Sequence, residues 1–224
     1  MGHWTLDDID WAAFDRTKAD VDTVRIIKAA SLVEHNGDLY GRYLANVFSG
    51  DEDFVAAAEQ WAVEEVQHGI ALARWANMAD PDWDFKASRQ RFCEGYQQVD
   101  MEAASSVRGS RCAELIARCI VEVGTSSYYS ALADSTDEPV LKQICKQIAA
   151  DEFRHYKLFY EHMKRYNADE SLNTVARIKV ALVRMAEGED DELAFAYYAA
   201  NDIEGPYDRK ACAAAHGSKA LTRY

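Results

Sequence analysis

Apolar positions recur at steps of three and four residues along most of the chain, the period of helices that bury one face. Four long stretches carry this pattern. The first covers 24–48 and is broken by Ser49-Gly50-Asp51; the second covers 53–78 and stops at Asp80-Pro81-Asp82. The third covers 110–132 and the fourth 140–166, separated by Ser135-Thr136-Asp137-Glu138-Pro139, where proline suits a first helical turn. A mixed stretch with Trp83, Phe85, Phe92 and Tyr96 lies between the second and third and predicts a crossover with a shorter helix. Shorter amphipathic segments follow at 172–185 and 191–199, and a further helix is predicted near 7–18.

Two short loops and one long connection join these helices as two antiparallel hairpins with a crossover. The predicted fold is all-α, a ferritin-like four-helix bundle with short accessory helices. The chain is predicted to be one domain over 1–224, with the bundle at about 24–166, accessory helices at about 171–200 and a tail at 201–224. Hydrophobic residues make up 49% of the 224, which excludes a disordered chain. The formal net charge of −13 argues against nucleic acid and against an anionic membrane surface as partners. No apolar run reaches the ~18 residues that span a bilayer, and the acidic start of the chain has no signal core, so a cytoplasmic location is predicted. The five cysteines form no Cys-x-x-Cys pair, which leaves no thiolate zinc or iron motif.

The buried stripes contain residues that do not belong in an apolar core. The second helix reads Phe54, Ala58, Trp61, Glu65, His68, Leu72, Trp75, and the fourth reads Leu141, Ile144, Ile148, Glu152, His155, Phe159. Each places a Glu-x-x-His pair on its inner side. In the first helix Glu34 follows Ile27 and Ala30, and in the third Glu122 follows Leu115 and Cys119. A buried carboxylate without a partner costs several kcal/mol or loses its charge. Four facing one core need a common cation. Glu34 lies 16 residues before Gly50 and Glu65 lies 15 after it; Glu122 and Glu152 each lie 15 from Asp137. At a 1.5 Å rise, the glutamates of each hairpin meet roughly 22 Å from its turn, so all six groups converge on one level. One glutamate from each of two helices plus Glu-x-x-His from each of the other two is the pattern of a di-iron or di-manganese carboxylate site. Carboxylate and imidazole without thiolate suit iron, manganese or a mixed pair.

Other residues near the stripes have two readings. Thr125 either faces the same cavity or bonds back to its own helix. Asp151 either orients a ligand histidine or is a solvated charge. Trp61 is either core or redox relay, and Asp38, four after Glu34, could sit outside the ligands. Gly124, Ser126 and Ser127 leave room for a substrate beside the third helix. His3, His35, His162 and His216 are predicted at the surface, and Tyr128 and Tyr129 as packing. Lys86, Arg89, Arg91, Arg108 and Arg111 form a basic group in or beside the crossover, read as a solvated face or a docking patch.

Three segments resemble the soluble acyl-carrier-protein desaturases. Ile148-Ala-Ala-Asp151-Glu152-Phe-Arg154-His155 is similar to that family's fourth-helix motif, and Trp61-Ala-Val-Glu64-Glu65-Val-Gln-His68-Gly69 to its second. Glu122-Val-Gly-Thr125 matches its Glu-x-x-Thr, and Glu34 with Tyr40 fits its first iron helix. The resemblance implies two iron ions on Glu34, Glu65, His68, Glu122, Glu152 and His155. It also implies oxygen handling by Thr125 and a supporting or electron-path role for Trp61 and Asp151. An O2-dependent oxidation of an aliphatic or acyl substrate, carrier-bound in that family, follows, with a ferredoxin-type electron donor and a homodimer. The alternatives are a short di-iron oxygenase, aldehyde-deformylating or hydroxylating, and a ferritin- or rubrerythrin-like iron or peroxide protein.

Overall fold

The computed structural model describes residues 3–96, 100–187 and 191–220. Its nine described α-helices build a ferritin-like bundle, and no described residue is in a strand. In chain order they are α1 (Val21–Glu34), α2 (Gly37–Val47), α3 (Glu52–Ala79), α4 (Phe85–Gly95), α5 (Arg111–Ser135), α6 (Pro139–Glu170), α7 (Thr174–Glu187), α8 (Asp191–Ala200) and α9 (Arg209–Ala220). Side-chain caps fix the starts of the long helices: Asp51 accepts from the Phe54 amide, Ser110 from Ala113 and Glu138 from Leu141. The tail called at 201–224 contains α9; the part beyond 220 lies outside the described residues.

The first bundle helix is not continuous over 24–48. It breaks after Glu34, where the Asn36 amide bonds to the Val33 carbonyl in a tighter turn before α2 begins. Close backbone approach to α3 accompanies the break. A Cβ on Gly37 would lie 2.3 Å from the Glu65 Cβ, and one on Gly69 would lie 2.5 Å from the His35 amide nitrogen. The helix predicted near 7–18 is instead three separate 3₁₀ turns, Leu6–Asp8, Trp11–Ala13 and Arg16–Lys18. The Asp8 and Asp15 carboxylates accept from the Thr5 and Thr17 amides, local bonds that compete with a helical ladder. This segment straps the bundle: Gln67 donates to the Trp4 carbonyl and Gln143 to that of Asp8.

α1 and α2 pack along α3, and α5 packs along α6, giving the two hairpins. Buried apolar side chains fall into two groups. One holds Ile27, Leu72, Trp75, Leu132 and Ile144; the other holds Leu44, Phe54, Leu115 and Phe159. The Glu and His positions of the stripes fall between these groups in every bundle helix, so a polar layer divides the apolar core. α8 closes the open side of α1 and α4 with Ala194, Ala196, Ala199 and Ala200, all buried. None of the described helices is long and apolar enough to cross a membrane.

Candidate metal centre

The structure brings Glu34, Glu65, His68, Glu122, Glu152 and His155 together, all buried. One ligand atom from each of Glu34, Glu65, His68 and Glu152 lies within 4.8 Å of the others, and the same holds for Glu65, Glu122, Glu152 and His155. The two groups share Glu65 and Glu152, one carboxylate from each Glu-x-x-His helix. Helix geometry produces this arrangement: positions i and i+3 lie on one face one turn apart, so each pair offers a carboxylate and an imidazole side by side.

Both imidazoles turn Nδ1 inward and Nε2 outward. His68 Nδ1 lies 3.5 Å from Glu34 Oε2 and 3.3 Å from Glu152 Oε1. His155 Nδ1 lies 3.0 Å from Glu65 Oε1 and 3.6 Å from Glu122 Oε2. The outer nitrogens donate to carboxylates across the bundle, His68 Nε2 to Asp151 at 3.1 Å and His155 Nε2 to Glu64 at 2.9 Å. Each carboxylate immediately before a Glu-x-x-His pair thus holds the histidine of the opposite pair. That contact keeps a proton on Nε2, so that a metal displacing the inner proton would meet the Nδ1 lone pair, the orienting device of metal-ligating histidines. Arg154 ties the two supports together, donating to Glu64 at 3.2 Å and to Asp151 at 2.5 Å.

The interior of the cluster carries unsatisfied polar atoms. Glu34 Oε2, Glu65 Oε1, His68 Nδ1, Glu152 Oε1 and His155 Nδ1 are buried without a hydrogen-bond partner. All five belong to the two four-residue groups. Buried polar atoms are almost always paired, so five orphans facing one point fit a cation of high charge. Titration behaviour agrees. Burial, reinforced by the Glu34 charge, pushes the Glu65 carboxyl up to about 8 against the opposing pull of His155. Burial and then the charges of Glu65 and Glu122 raise Glu152 well above the carboxylate range. Burial alone would lower His68, but the neighbouring Asp151, Glu152 and Glu34 carboxylates raise it. His155 is raised in the same way, chiefly by Glu122, Glu64 and Glu65. Protons stand where cations would neutralise the carboxylates.

Thr125 Oγ1 donates to Glu152 Oε2 at 2.6 Å, and lies 3.1 and 3.2 Å from the Val121 and Glu122 carbonyls. Both readings of this residue describe part of its surroundings. Asp151 orients His68 and is not a solvated charge. Trp61 is buried, its ring edge-on to His155 at 6.4 Å, with Nε1 unpartnered. Asp38 lies outside the cluster, its Oδ1 3.9 Å from Arg89. Gly124 and Ser127 face solvent, while Ser126 is half-buried and donates to the Ala149 carbonyl of α6. His3 is exposed; His35 and His162 are half-buried against Phe85 and Phe54, short of the surface positions predicted for them. The side chain of His216 lies outside the described residues. In the basic group, Arg91 bonds the Ala199 carbonyl and Asp202, Arg111 the Val47 and Ser49 carbonyls, and Arg89 lies on His35. Those three serve internal contacts.

Three residues of the site escape the sequence reading. Glu64 repeats at α3 the place Asp151 holds at α6, a duplication visible in the motifs themselves. Tyr129, predicted as packing, donates its hydroxyl to Glu34 Oε1 at 2.5 Å; it lies seven residues after Glu122, two turns along the same face. Trp4 stacks on His68 with rings 6.0 Å apart and 3° from parallel, and its Nε1 donates to Asp151 at 2.8 Å. No periodicity signals Trp4, because it sits in the irregular strap.

The fold and the cluster define the class, a ferritin-like bundle with a buried carboxylate–histidine site able to take two metal ions. Residues 115–216 match the Rubrerythrin family model, from early α5 into α9, a span that includes Glu122, Thr125, Asp151, Glu152 and His155. No curated protein and no solved structure matches the chain. Nothing in these comparisons supports a closer kinship to the acyl-carrier-protein desaturases.

Proposed function

We propose that this chain is a di-iron oxidoreductase of rubrerythrin-like type that passes electrons from an external donor to hydrogen peroxide or dioxygen. The five orphaned atoms facing one point carry this reading, and the Rubrerythrin match across the second hairpin supports it. Glu34 and His68 would hold one iron, Glu122 and His155 the other, with Glu65 and Glu152 shared. Two irons so held supply a two-electron Fe(II)/Fe(III) couple. The carboxylate and imidazole donors also suit manganese or a mixed pair.

The chain's own residues set the conditions. Asp151 and Glu64 hold the imidazoles as Nδ1 donors. Tyr129 orients Glu34 from the side of α5. Thr125 holds a hydroxyl proton on Glu152, at the one shared carboxylate that bonds a hydroxyl from α5. The apolar groups on either side keep water from the layer. An external donor would supply the electrons. Reduction of one peroxide to two waters consumes two electrons and two protons. Fully reduced protein is therefore predicted to consume one equivalent of peroxide with a rapid rise in ferric absorbance. No faster oxidation by either peroxide or dioxygen than in anaerobic buffer would overturn the assignment.

One observation favours a second reading, oxidation of an aliphatic or acyl substrate in the desaturase or oxygenase manner. The Thr125 hydroxyl donates to Glu152 one turn from Glu122, and the Glu-x-x-Thr resemblance implies a threonine that borders the oxygen pocket. Single-turnover oxidation of reduced protein with acyl substrates, read by mass spectrometry, separates the two. A product changed by two hydrogens or one oxygen supports the second reading, and unchanged substrate with ferric protein supports the first.

A further inference from the structure

α7 is oriented inside out. Val175, Ile178, Leu182 and Met185 are 76%, 53%, 60% and 61% exposed, while Arg177 and Arg184 on the opposite side are partly covered against the bundle. Arg177 bonds the Thr174 hydroxyl, and Val180 and Ala181 make the apolar contact to the core. A helix that served only to cover α5 would place its aliphatic side chains inward.

We propose that α7 is a self-association surface, on which the α7 of a second copy of this chain packs antiparallel. The first argument is spacing. The exposed positions step by three, four and three residues, the interval of a knobs-into-holes seam. The second is register. The stripe is symmetric about Val180, so an antiparallel two-fold pairing sets Val175 against the partner's Met185 and Ile178 against the partner's Leu182. Arg177 and Arg184 lie on the bundle-facing side and stay out of the seam, and Lys179 stays at the exposed rim. Such self-complementarity is what an isologous interface requires. The third is area. With Val183, 43% exposed, the stripe forms a patch on the order of 500 Å², the upper end of what a monomer leaves uncovered. Covered in two copies it approaches the roughly 1,000 Å² of a specific interface. A groove of about 570 Å³ lined by Val107, Arg108, Leu172, Lys179, Val180 and Val183 runs along the flank of α7 beside Val183.

The test is sedimentation equilibrium of the full chain together with Ile178→Glu/Leu182→Glu. Wild type is predicted at twice the 25.2 kDa chain mass, and the variant as monomer with at least a hundredfold weaker self-association. Far-UV circular dichroism checks that the variant keeps its helices. Val175→Lys/Met185→Lys, at the ends of the stripe, provides an independent second variant. A monomeric wild type, or a dimer untouched by both variants, overturns the proposal. Mixing Ile178→Cys with Leu182→Cys is predicted to give cross-links faster than either alone; faster cross-linking in the separate variants overturns the antiparallel register. Flotation with vesicles of phosphatidylcholine and phosphatidylglycerol at three to one provides the remaining arm. Co-flotation lost in the Glu variant would assign the face to a lipid surface and overturn the proposal.

Discussion

Replacing Asp151 by Asn tests how the imidazoles are held. Asp151 Oδ2 accepts from Trp4 Nε1 at 2.8 Å and His68 Nε2 at 3.1 Å, while Oδ1 accepts from Arg154 at 2.5 Å. All three partners are donors. An amide offers one oxygen, so its NH2 must face either Arg154 or the Trp4–His68 pair, and one donor then opposes another. The negative charge that sharpens the His68 lone pair is also lost. Removing such a support typically costs ten- to a hundredfold in metal affinity, which is about 1.4–2.7 kcal/mol. The loss should fall on one site. His68 belongs only to the group with Glu34, and His155 keeps its own support from Glu64. Anaerobic titration with Co(II), followed by calorimetry, is predicted to show two sites in wild type. In Asp151→Asn one should be weakened ten- to a hundredfold and the other changed less than threefold. Glu64→Gln should produce the mirror result. Equal weakening of both sites in each folded variant, or no weakening in either, would refute the crossed support.

Further outcomes follow from the same geometry. Glu122→Ala should lower metal content from two ions to one per chain, because Glu122 belongs to one group only, whereas Glu65→Ala should deplete both; elemental analysis distinguishes them. Gly69→Ala sets a methyl 2.5 Å from the His35 amide nitrogen, where backbone must move, so a loss of about 1–3 kcal/mol is predicted from the denaturant midpoint. The raised Glu65 carboxyl makes the metal-free protein bind more protons folded than unfolded. Its contribution to stability is therefore full below about 4.5, the ordinary value, and is lost as pH rises through about 8. Metal must displace those protons, so the thermal shift on adding Fe(II) should grow from pH 5 to pH 8; a shift that shrinks would contradict the account.

The long helices are legible because each buries a stripe of one period along its length. α3 and α6 begin within one residue of 53 and 140 for that reason, with Asp51 and Glu138 as visible caps. The convergence of the six Glu and His side chains is legible too, since equal distances from two turns fix their level. The break after Glu34 is not, because it goes with Gly37 meeting the Glu65 side chain and Gly69 meeting the His35 backbone, contacts that have no local signature. The strap is missed for a related reason. Asp8 and Asp15 divert its backbone into short turns, and its Trp4 reaches Asp151 only through tertiary contact. Glu64 was hidden in plain pattern: acidic residues precede both pairs, but only the fold shows that each serves the other's histidine. The desaturase resemblance rests on motifs that hold the ligands Glu65, His68, Glu122, Glu152 and His155 and the supports Glu64 and Asp151. It follows the metal layer more closely than it follows the substrate.

The proposed function requires Glu34, Glu65, His68, Glu122, Glu152 and His155 to hold two irons at one layer of the bundle. Mössbauer spectroscopy of protein loaded with 57Fe and oxidised by one equivalent of peroxide tests it most directly. The account predicts two irons per chain in a single spin-coupled diferric signal, reduced to an uncoupled one-iron signal by Glu122→Ala. Wild-type protein that binds one iron or none, or binds two without coupling, would contradict it.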